Sequence, residues 1–226
     1  WTGFYLGVHG GYGTGGWDGS QIYTDAALVP LVPYGAFDSS SHTIDTKGAL
    51  GGGQIGFNVQ SGAVVWGIEA DASWSGIKGD AVLLPFPNDP AAGTAYGTPA
   101  WGFAIENKWL ATVRGRLGIT AGSMLLYGTG GVAFGGFDIT HTVIGYPDPE
   151  GRTSRRSDTK VGWTAGAGAE WAITANLSLK AEYLRYDFGK QGGSQLSVGD
   201  DPIGFVYTNE FKVKADTAKV GLNFRF

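Results

Sequence analysis

Apolar and polar residues alternate along much of this chain, which is the pattern of β-strands that present one apolar and one polar face. The last nine residues show this alternation without interruption. One face carries Ala218, Val220, Leu222, Phe224 and Phe226, and the other carries Lys219, Gly221, Asn223 and Arg225. A membrane-spanning strand needs about 9–11 residues, so this segment is long enough to cross a bilayer.

Seven further segments carry a similar alternation and predict seven more strands. They lie near residues 3–14, 47–60, 66–75, 108–119, 124–139, 160–171 and 178–189. In the clearest of them one face is apolar and bracketed by tryptophan, and the other is small, polar or charged. Lys108 falls on the polar face of its segment. Gly130 and Gly131 indicate a β-bulge, which leaves the facing of the segment 124–139 open.

The predicted connections between the strands alternate between short and long. Short turns are predicted near residues 60–63, 121–123 and 174–176. Long loops, which hold the prolines, are predicted at about residues 15–45, 77–100, 140–158 and 190–209. An even number of strands with this alternation is typical of outer-membrane barrels. We therefore predict an all-β single domain over residues 1–226, an eight-stranded antiparallel up-and-down transmembrane β-barrel with long extracellular loops and short periplasmic turns.

Composition excludes several other classes of protein. Glycine supplies 40 of the 226 residues, and aromatic residues make up 13%. Disordered chains are poor in aromatic residues, and each glycine inside a helix costs about 1 kcal/mol, so disorder and helical bundles are both disfavoured. The net charge of -4 offers no attraction for nucleic acid, and the lack of cysteine excludes thiolate metal sites. We expect no nucleic-acid partner, no cofactor and no metal.

Alternation alone does not decide which face of the barrel points inward. A soluble barrel of the lipocalin type would place the apolar face inside. Tryptophans at both ends of the apolar faces are typical of the aromatic girdles at membrane interfaces. The small, glycine-rich polar face suits the narrow lumen of an eight-stranded barrel. Both features favour a membrane barrel.

Several segments carry a resemblance to a known family. They are Trp1–Gly7, Trp109–Gly118, Leu126–Ala133, Gly162–Glu170 and Lys180–Tyr183. These segments resemble the alphaproteobacterial small outer-membrane β-barrel proteins, the 25/31-kilodalton surface-antigen group often labelled "porin family". That group is related to the opacity-protein and outer-membrane-protein-A-like barrels. The resemblance touches nearly every predicted strand and leaves the long loops unmatched.

The resemblance implies location in the bacterial outer membrane, after export with removal of a signal peptide. The chain opens on Trp1 within a strand pattern, as expected of a processed chain. The resemblance also implies insertion by the barrel-assembly machinery. The closing residues resemble the C-terminal signal that this machinery reads, carried by Val220, Leu222, Phe224 and Phe226.

Charged residues on the predicted inner face must be paired, because an unpaired buried charge is very costly. Glu69 and Asp71 on the third strand stand at about the height of Arg116 and Arg114 on the fourth. The other inward charges near the same end are Glu170, Lys180, Glu182, Lys219 and Arg225. We predict that these residues form a salt-bridge network that fills the lumen. The alternative is a selective ion path.

Two features of the predicted loops indicate contact with partners. Arg152, Arg155 and Arg156 form a basic group in the third long loop, suited to the phosphates of lipopolysaccharide or to another anionic partner. Their alternative interpretation is a solvated loop tip. The first two loops contain the apolar stretches Ala26–Phe37 and Leu83–Pro87. Exposed apolar patches mark contact sites, so we predict that loops one and two pack together, or bind another copy or another surface protein.

Motifs for catalysis are weak in this sequence. His9, His42 and His141 are scattered, and the glycines of Gly11–Gly16 match a dinucleotide fingerprint without the helix that it needs. We predict a protein without enzymatic activity, with a structural and surface-interaction role among outer-membrane lipids and lipopolysaccharide. The alternative is a narrow porin for small solutes. A lipid A-modifying enzyme is a third interpretation, with His9 and a lumenal hydroxyl as its candidate groups.

Overall fold

The computed structural model describes residues 1–24, 41–83, 100–145, 148–197 and 206–226, and all eight predicted strands are present there. The strands are β1 (Gly3–Thr24), β2 (Ser41–Ser61), β3 (Val64–Leu83), β4 (Ala100–Ala121), β5 (Met124–Gly145), β6 (Asp148–Ala172), β7 (Leu177–Ser197) and β8 (Val206–Arg225). Each strand pairs antiparallel with the next, and β8 pairs with β1 to close the barrel. Within these described residues no helix is long and apolar enough to cross a membrane. The predicted all-β, eight-stranded fold is confirmed.

The short turns lie at one end of the barrel, and two of the three are built on glycine. β2 and β3 are joined through Gly62, which has a φ of 61°, and β4 and β5 through Gly122, which has a φ of 59°. A positive φ at the first residue of a two-residue hairpin matches the twist of the flanking strands, and glycine adopts it without steric cost. These tight turns fix the register of the strand pairs that they connect.

The strands are much longer than the sequence pattern predicts. They run for 20 residues in β3 and 25 residues in β6, about twice the length needed to cross a bilayer. The predicted long loops therefore include many residues that belong to strands. The third one, 140–158, is almost entirely strand, since β5 continues to Gly145 and β6 begins at Asp148. Much of the first two loops, including most of their apolar stretches, lies outside the described residues.

The apolar residues move from the outer face to the inner face along these strands, which explains why the sequence pattern does not predict their full length. In the section near the short turns, apolar residues such as Val8 and Ile68 point outward and are exposed. Further along the same strands, Trp17 and Ile77 point inward and are buried. The apolar positions thus move from one phase of the alternation to the other, which hides the period of two in the sequence. Backbone hydrogen bonds continue through the change because they do not depend on which face is apolar.

Two rows of tryptophan mark the part of the barrel that the membrane surrounds. Trp66 and Trp74 on β3, and Trp163 and Trp171 on β6, all point outward with more than half of their surface exposed. Both pairs are eight residues apart. With about 3.3 Å per residue and a tilt of about 40°, the rows stand about 20 Å apart, close to the height of the apolar band of such barrels. The half of the barrel beyond Trp74 and Trp163 therefore projects outside the membrane.

The bulge lies in β4 and not at the glycine pair of β5. Gly130 and Gly131 pair in unbroken register with Gly115 and Arg114, so the predicted bulge there is wrong. The register shifts instead on either side of Lys108, which is the extra residue of β4. An extra residue reverses the facing of a strand. Lys108, expected on the lumenal face, is consequently exposed outside, with its Nζ 2.7 Å from Glu106 Oε2.

The section of the barrel between the two tryptophan rows, which we call the membrane band, predicts the effect of placing a charge on the outer face. Val113 is 56% exposed and lies on β4 between Trp109 and the short turn that follows Ala121. We expect Val113→Lys to lower the free energy of unfolding by about 2–4 kcal/mol, because the ammonium group would enter hydrocarbon. Urea unfolding of the protein folded into lipid vesicles measures this change.

Ala104→Lys is the matched control on the same strand. Ala104 is exposed and lies beyond the bulge and Trp109, so its lysine would remain in water and cost less than about 1 kcal/mol. Equal costs at the two positions would contradict this placement of the band.

Candidate functional site

The lumen near the short turns holds a group of buried charges whose sum is zero. Four carboxylates and four basic groups line it, and each residue is at most 6% exposed. We call this group the charged layer; it consists of Glu69, Asp71, Glu170, Glu182, Arg114, Arg116, Lys180 and Lys219. Alternation brings these side chains inward, and the closure of the barrel brings them together.

Arg114 is the centre of the charged layer. It lies directly across from Glu69 in the β3–β4 ladder, and its Nη2 is 2.6 Å from Glu69 Oε1 and 3.0 Å from Asp71 Oδ2. Its Nη1 donates to Glu182 on β7, on another part of the wall. Its Nε donates to Thr112 Oγ1 at 2.8 Å, and this hydroxyl donates to Asp71. The guanidinium therefore links three carboxylates, with its geometry fixed by a neighbouring hydroxyl.

The two lysines of the layer extend the network across the lumen. Lys180 Nζ lies 2.7 Å from both Glu69 Oε1 and Glu182 Oε1. Lys219 Nζ lies 2.8 Å from Asp71 Oδ1. These contacts tie β7 and β8 to β3 across the interior, so the network braces the barrel as well as filling it.

Arg116 is held by a carboxylate and two tyrosines. Its Nη2 donates to Glu170 Oε2 at 2.9 Å, and its Nη1 donates to the Tyr5 hydroxyl at 2.9 Å. The guanidinium carbon lies 4.0 Å from the centre of the Tyr127 ring, a cation–π contact. Tyr5 in turn donates to Glu69 Oε2 at 2.7 Å, which joins Arg116 to the contacts of Arg114.

The two tyrosines occupy space that lumenal glycines leave open. A Cβ atom at Gly56 would collide with the Tyr5 ring, and one at Gly168 would collide with the Tyr127 ring. The hydroxyl ends of the two rings therefore lie directly over these glycines. This gives the glycine excess of the sequence a specific structural role at these two positions.

The structure assembles the expected charges with one exception. Arg225 does not join the charged layer: its Nη2 donates to the Ala175 carbonyl at 2.5 Å, and its guanidinium carbon is 5.2 Å from the Trp1 ring centre. It is the last residue of β8, beside the turn between β6 and β7.

Sequence reasoning missed the neutral partners of the charged layer. The hydroxyl of Ser178 and the amide of Asn223 donate to Glu170 Oε1 at 2.6 and 2.9 Å. Tyr5 and Asn223 fall on predicted lumenal faces, so the alternation could have located them. Their role depends on which carboxylate each one reaches, which a single strand does not reveal.

His9 belongs to a set of neutral polar contacts in the lumen that reaches the charged layer through Asn223. Its Nε2 lies 2.8 Å from Ser73 Oγ, and its Nδ1 lies 2.5 Å from Gln54 Oε1. Gln54 donates through Nε2 to Asn223 Oδ1 at 2.7 Å. The side chains of His42 and His141 lie outside the described residues.

An apolar layer fills the lumen on the extracellular side of the charges, and the sequence did not predict it. Phe137 packs edge-on against Trp17 and Phe188, with ring centres 5.4 and 5.3 Å apart. A cavity of about 10 Å³ lies among these rings, close to the minimum for a single water. The buried members of the layer are Trp17, Ile44, Leu50, Ile77, Phe103, Ile105, Leu110, Ala133, Phe137, Leu184, Tyr186, Phe188 and Val213.

The predicted basic group of the third loop lies on β6. Arg155 and Arg156 are exposed, but they pair with Thr140 and Ile139 of β5 and so belong to a strand and not to a loop tip. The side chain of Arg152 lies outside the described residues.

The residues of the predicted assembly signal also face outward. They are 42–70% exposed, and comprise Val220, Leu222, Phe224 and Phe226. Their role in assembly stays a prediction.

The contacts of Arg114 predict a large loss of stability when it is removed. Arg114→Ala leaves Glu69, Asp71 and Glu182 without their shared partner, and breaking a buried ion pair from one side costs about 3–5 kcal/mol. We expect that decrease in the free energy of unfolding in lipid vesicles. Lys108→Ala is the control, because the Lys108 side chain is 44% exposed beyond Trp109 and its Nζ is 2.7 Å from Glu106 Oε2. Exposed pairs contribute less than about 1 kcal/mol, so similar losses in the two variants would contradict the central role of Arg114.

The packing of Tyr127 predicts a second, smaller effect. We expect Gly168→Ala to lower the free energy of unfolding by about 1–3 kcal/mol, because the new methyl group would collide with the Tyr127 ring and with the Ala181 carbonyl oxygen. Gly128→Ala on the neighbouring strand is the matched control, since its Cβ would point outward with the nearest atom 4.0 Å away. A change of less than about 0.5 kcal/mol is expected there. A neutral Gly168→Ala would show that the ring does not depend on this glycine.

Comparison with known proteins places the chain in a family. The family model described as an outer membrane protein beta-barrel domain matches residues 1–226. A 31 kDa outer-membrane immunogenic protein of Brucella melitensis is 35% identical over 238 residues, covering 100% of this chain and 84% of that protein. A 22 kDa outer membrane protein of Rhizobium leguminosarum is 31% identical over 192 residues, covering 83% of this chain and 64% of that protein.

A solved structure shows the same fold at low identity. The outer membrane protein OprG from Pseudomonas aeruginosa matches with a TM-score of 0.50 and 13% identity, covering 100% of this chain and 96% of that one. These findings confirm the resemblance that the strand motifs carry and the predicted location in the bacterial outer membrane. The chain belongs to the outer membrane protein beta-barrel domain family.

Proposed function

We propose that this outer-membrane barrel is a sealed structural protein of the cell surface, which braces the envelope and contacts partners through its extracellular half. The observation that carries the proposal is the filling of the lumen by two layers in series. The charged layer closes the periplasmic half, and the apolar layer closes the half that projects outside.

The sealed interior argues against the alternative of a narrow porin. An eight-stranded barrel is just wide enough for its own side chains, whereas aqueous pores need about 16–18 strands. A solute or ion would have to separate Arg114 from its three carboxylates and then pass between Phe137, Trp17 and Phe188. The first step exposes paired charges, and the second offers an ion no polar partner.

We also propose that the barrel has no enzymatic activity. His9 and Ser73 are hydrogen-bonded, as a nucleophile and its base would be. Both side chains are nevertheless buried, and an amide, Gln54, stands where a carboxylate would stabilise a charged imidazole. The Brucella relatives are named outer-membrane immunogenic proteins.

The extracellular half is the proposed site of partner contacts. The exposed Arg155 and Arg156 lie beyond the upper tryptophan row, at a height suited to lipopolysaccharide phosphates or another anionic partner. The apolar stretches of loops one and two remain candidates for self-association or for binding another surface protein. The immunogenic character of the Brucella relatives supports a role at the exposed surface.

Single-channel recording in a planar bilayer tests the seal. We expect the purified protein to give no steady ohmic current. The Arg114→Ala variant should also stay closed, although it unfolds more easily, because the apolar layer remains in place. A general porin of 16 strands, inserted by the same procedure, serves as the positive control.

Two results would contradict the proposed function. A stable ohmic current from the unaltered protein would favour the porin. A lipid A mass spectrum that differs between cells with and without the protein would favour the enzyme.

A further inference from the structure

Two lysines lie directly opposite each other on the outer surface of the barrel. Lys47 of β2 and Lys78 of β3 are register partners, and both are exposed. Their chain neighbours Thr46 and Ile77 are buried, so the alternation turns the lysines outward. Among the residues that the structure describes, neither ammonium group forms a salt bridge or a hydrogen bond. Like charges opposite each other destabilise a ladder, so an anion that contacts both ammonium groups would stabilise it.

On the β4 side of this pair, the facing acid already has a partner. Glu106 faces Lys78 in the ladder between β3 and β4. Its Oε2 lies 2.7 Å from the Nζ of Lys108, the extra residue of the bulge. The bulge therefore gives this carboxylate a lysine of its own and leaves Lys78 to face Lys47.

On the β1 side of the pair, Lys47 faces a neutral hydroxyl. The exposed Thr14 is its register partner, and Asp216 of β8 lies on the far side of Thr14. Asp216 Oδ1 accepts a hydrogen bond from the Tyr183 hydroxyl at 2.5 Å. Three outward donors thus stand side by side on three strands, two of them positively charged. We call Thr14, Lys47 and Lys78 the lysine row.

The lysine row lies just outside the membrane band. Lys78 is four residues beyond Trp74 of the upper tryptophan row, a rise of about 10 Å at about 3.3 Å per residue and a tilt of about 40°. The headgroup layer of one leaflet is about 5–8 Å thick, and lysine stems bend back along a protein surface to reach it. The ammonium groups therefore stand within reach of lipid phosphates.

The acids nearest to the row along the two strands lie on its far side from the membrane. Asp45 and Asp80 are exposed on the same outer face, two residues further toward the extracellular side. Within the described part of the chain neither of them forms a salt bridge. The surface is therefore positive next to the lipid and negative above it, which favours an anion on the membrane side of the lysines.

We propose that the lysine row binds a phosphate group of an outer-leaflet lipid. Two ammonium groups and one hydroxyl would donate to the phosphate oxygens, and the two charged donors make these hydrogen bonds strong. The site is separate from Arg155 and Arg156, because β2 and β6 are four strands apart in the closed ring. The inference therefore goes beyond the proposed surface contacts and does not rest on them.

The surface beneath the row suits a phosphate that is carried by a lipid. Ala49 and Gly51 present the outer face of β2 there, and a Cβ atom on Gly51 would meet its nearest atom only at 3.6 Å. The larger Tyr12 and Trp74 flank this low strip on β1 and β3 and are exposed. A hydrocarbon chain attached to the phosphate can therefore lie against the barrel, a contact that a free phosphate does not make.

A titration in dodecyl maltoside micelles, which contain no phosphate, tests the site. The probe is diphosphoryl lipid A, and native mass spectrometry counts the molecules bound. The control lipid is the same molecule with both phosphates removed. We expect it to bind about 25-fold more weakly, because each lysine near an anionic lipid contributes about fivefold. Inorganic phosphate, added as a competitor at equal concentration, should not displace lipid A.

Variants of the protein locate the site. Lys47→Gln and Lys78→Gln should each weaken lipid A binding about fivefold, and the double variant about 25-fold. Lys214→Gln is the matched control, because Lys214 of β8 faces Gly16 and Asp187 and has no second lysine opposite it. We expect a change of less than about twofold there.

The unfolding temperature of the lipid-free protein separates binding from a structural role. Each single variant should unfold at the same temperature as the unaltered protein or higher, because it removes a like-charge pair. Adding lipid A should raise the unfolding temperature of the unaltered protein and raise that of the double variant much less, since a ligand stabilises only the form that binds it.

Each outcome decides the proposal. Equal binding of the dephosphorylated lipid would overturn phosphate recognition, and displacement of lipid A by inorganic phosphate would make free phosphate the ligand. Unchanged binding in the double variant would place the lipid elsewhere on the barrel. A lower unfolding temperature of the lipid-free single variants would give the lysines a structural role instead. The sealed lumen would still stand or fall on the conductance measurement alone.

Discussion

Charges inside a narrow membrane barrel have to cancel within the lumen, because neither the surrounding lipid nor the apolar layer can stabilise an unpaired ion. The charged layer meets this requirement with equal numbers of acids and bases, and Arg114 with its three carboxylates is its centre. The requirement also constrains the register of the strands. A slip by one residue would turn Arg114 into the bilayer and leave Glu69 and Asp71 alone inside. Register, closure and stability are therefore linked through one group of side chains.

The distribution of apolar residues between the inner and outer faces changes along the length of the barrel. The membrane section is apolar outside and charged inside, and the projecting section is buried and apolar inside, as in a soluble barrel. The bulge at Lys108 is the point on β4 where the facing reverses, which keeps Trp109 outside while Phe103 and Ile105 turn inward. The result is a rigid wall that extends well beyond the membrane. Such a wall holds exposed groups such as Lys47 and Lys78 at a fixed height above the lipid surface.

Prediction from the sequence succeeded where one environment surrounds a whole strand segment. The outward positions Val220, Leu222 and Phe224 and the inward positions Arg114 and Arg116 follow from a period of two, because lipid on one side and a polar lumen on the other repeat with that period. It failed where the environment changes along a strand. Trp17 and Ile77 were assigned to loops because their apolar phase is opposite to that of the membrane section. Lys108 was assigned to the wrong face because nothing in the local sequence marks a bulge.

The number of strands and the inward position of the charges follow from the alternation within each segment, since both depend on residues close together in the chain. Which charges meet depends on the closed barrel. Lys219 and Asp71 are 148 positions apart, and only closure of the barrel brings them into contact. Arg225 lies in the same phase of the alternation as Lys219, but its guanidinium contacts the Ala175 carbonyl and the Trp1 ring at the end of the barrel. The facing of Lys47 and Lys78 is of the same kind, because it depends on the register of two strands and not on the pattern of either one.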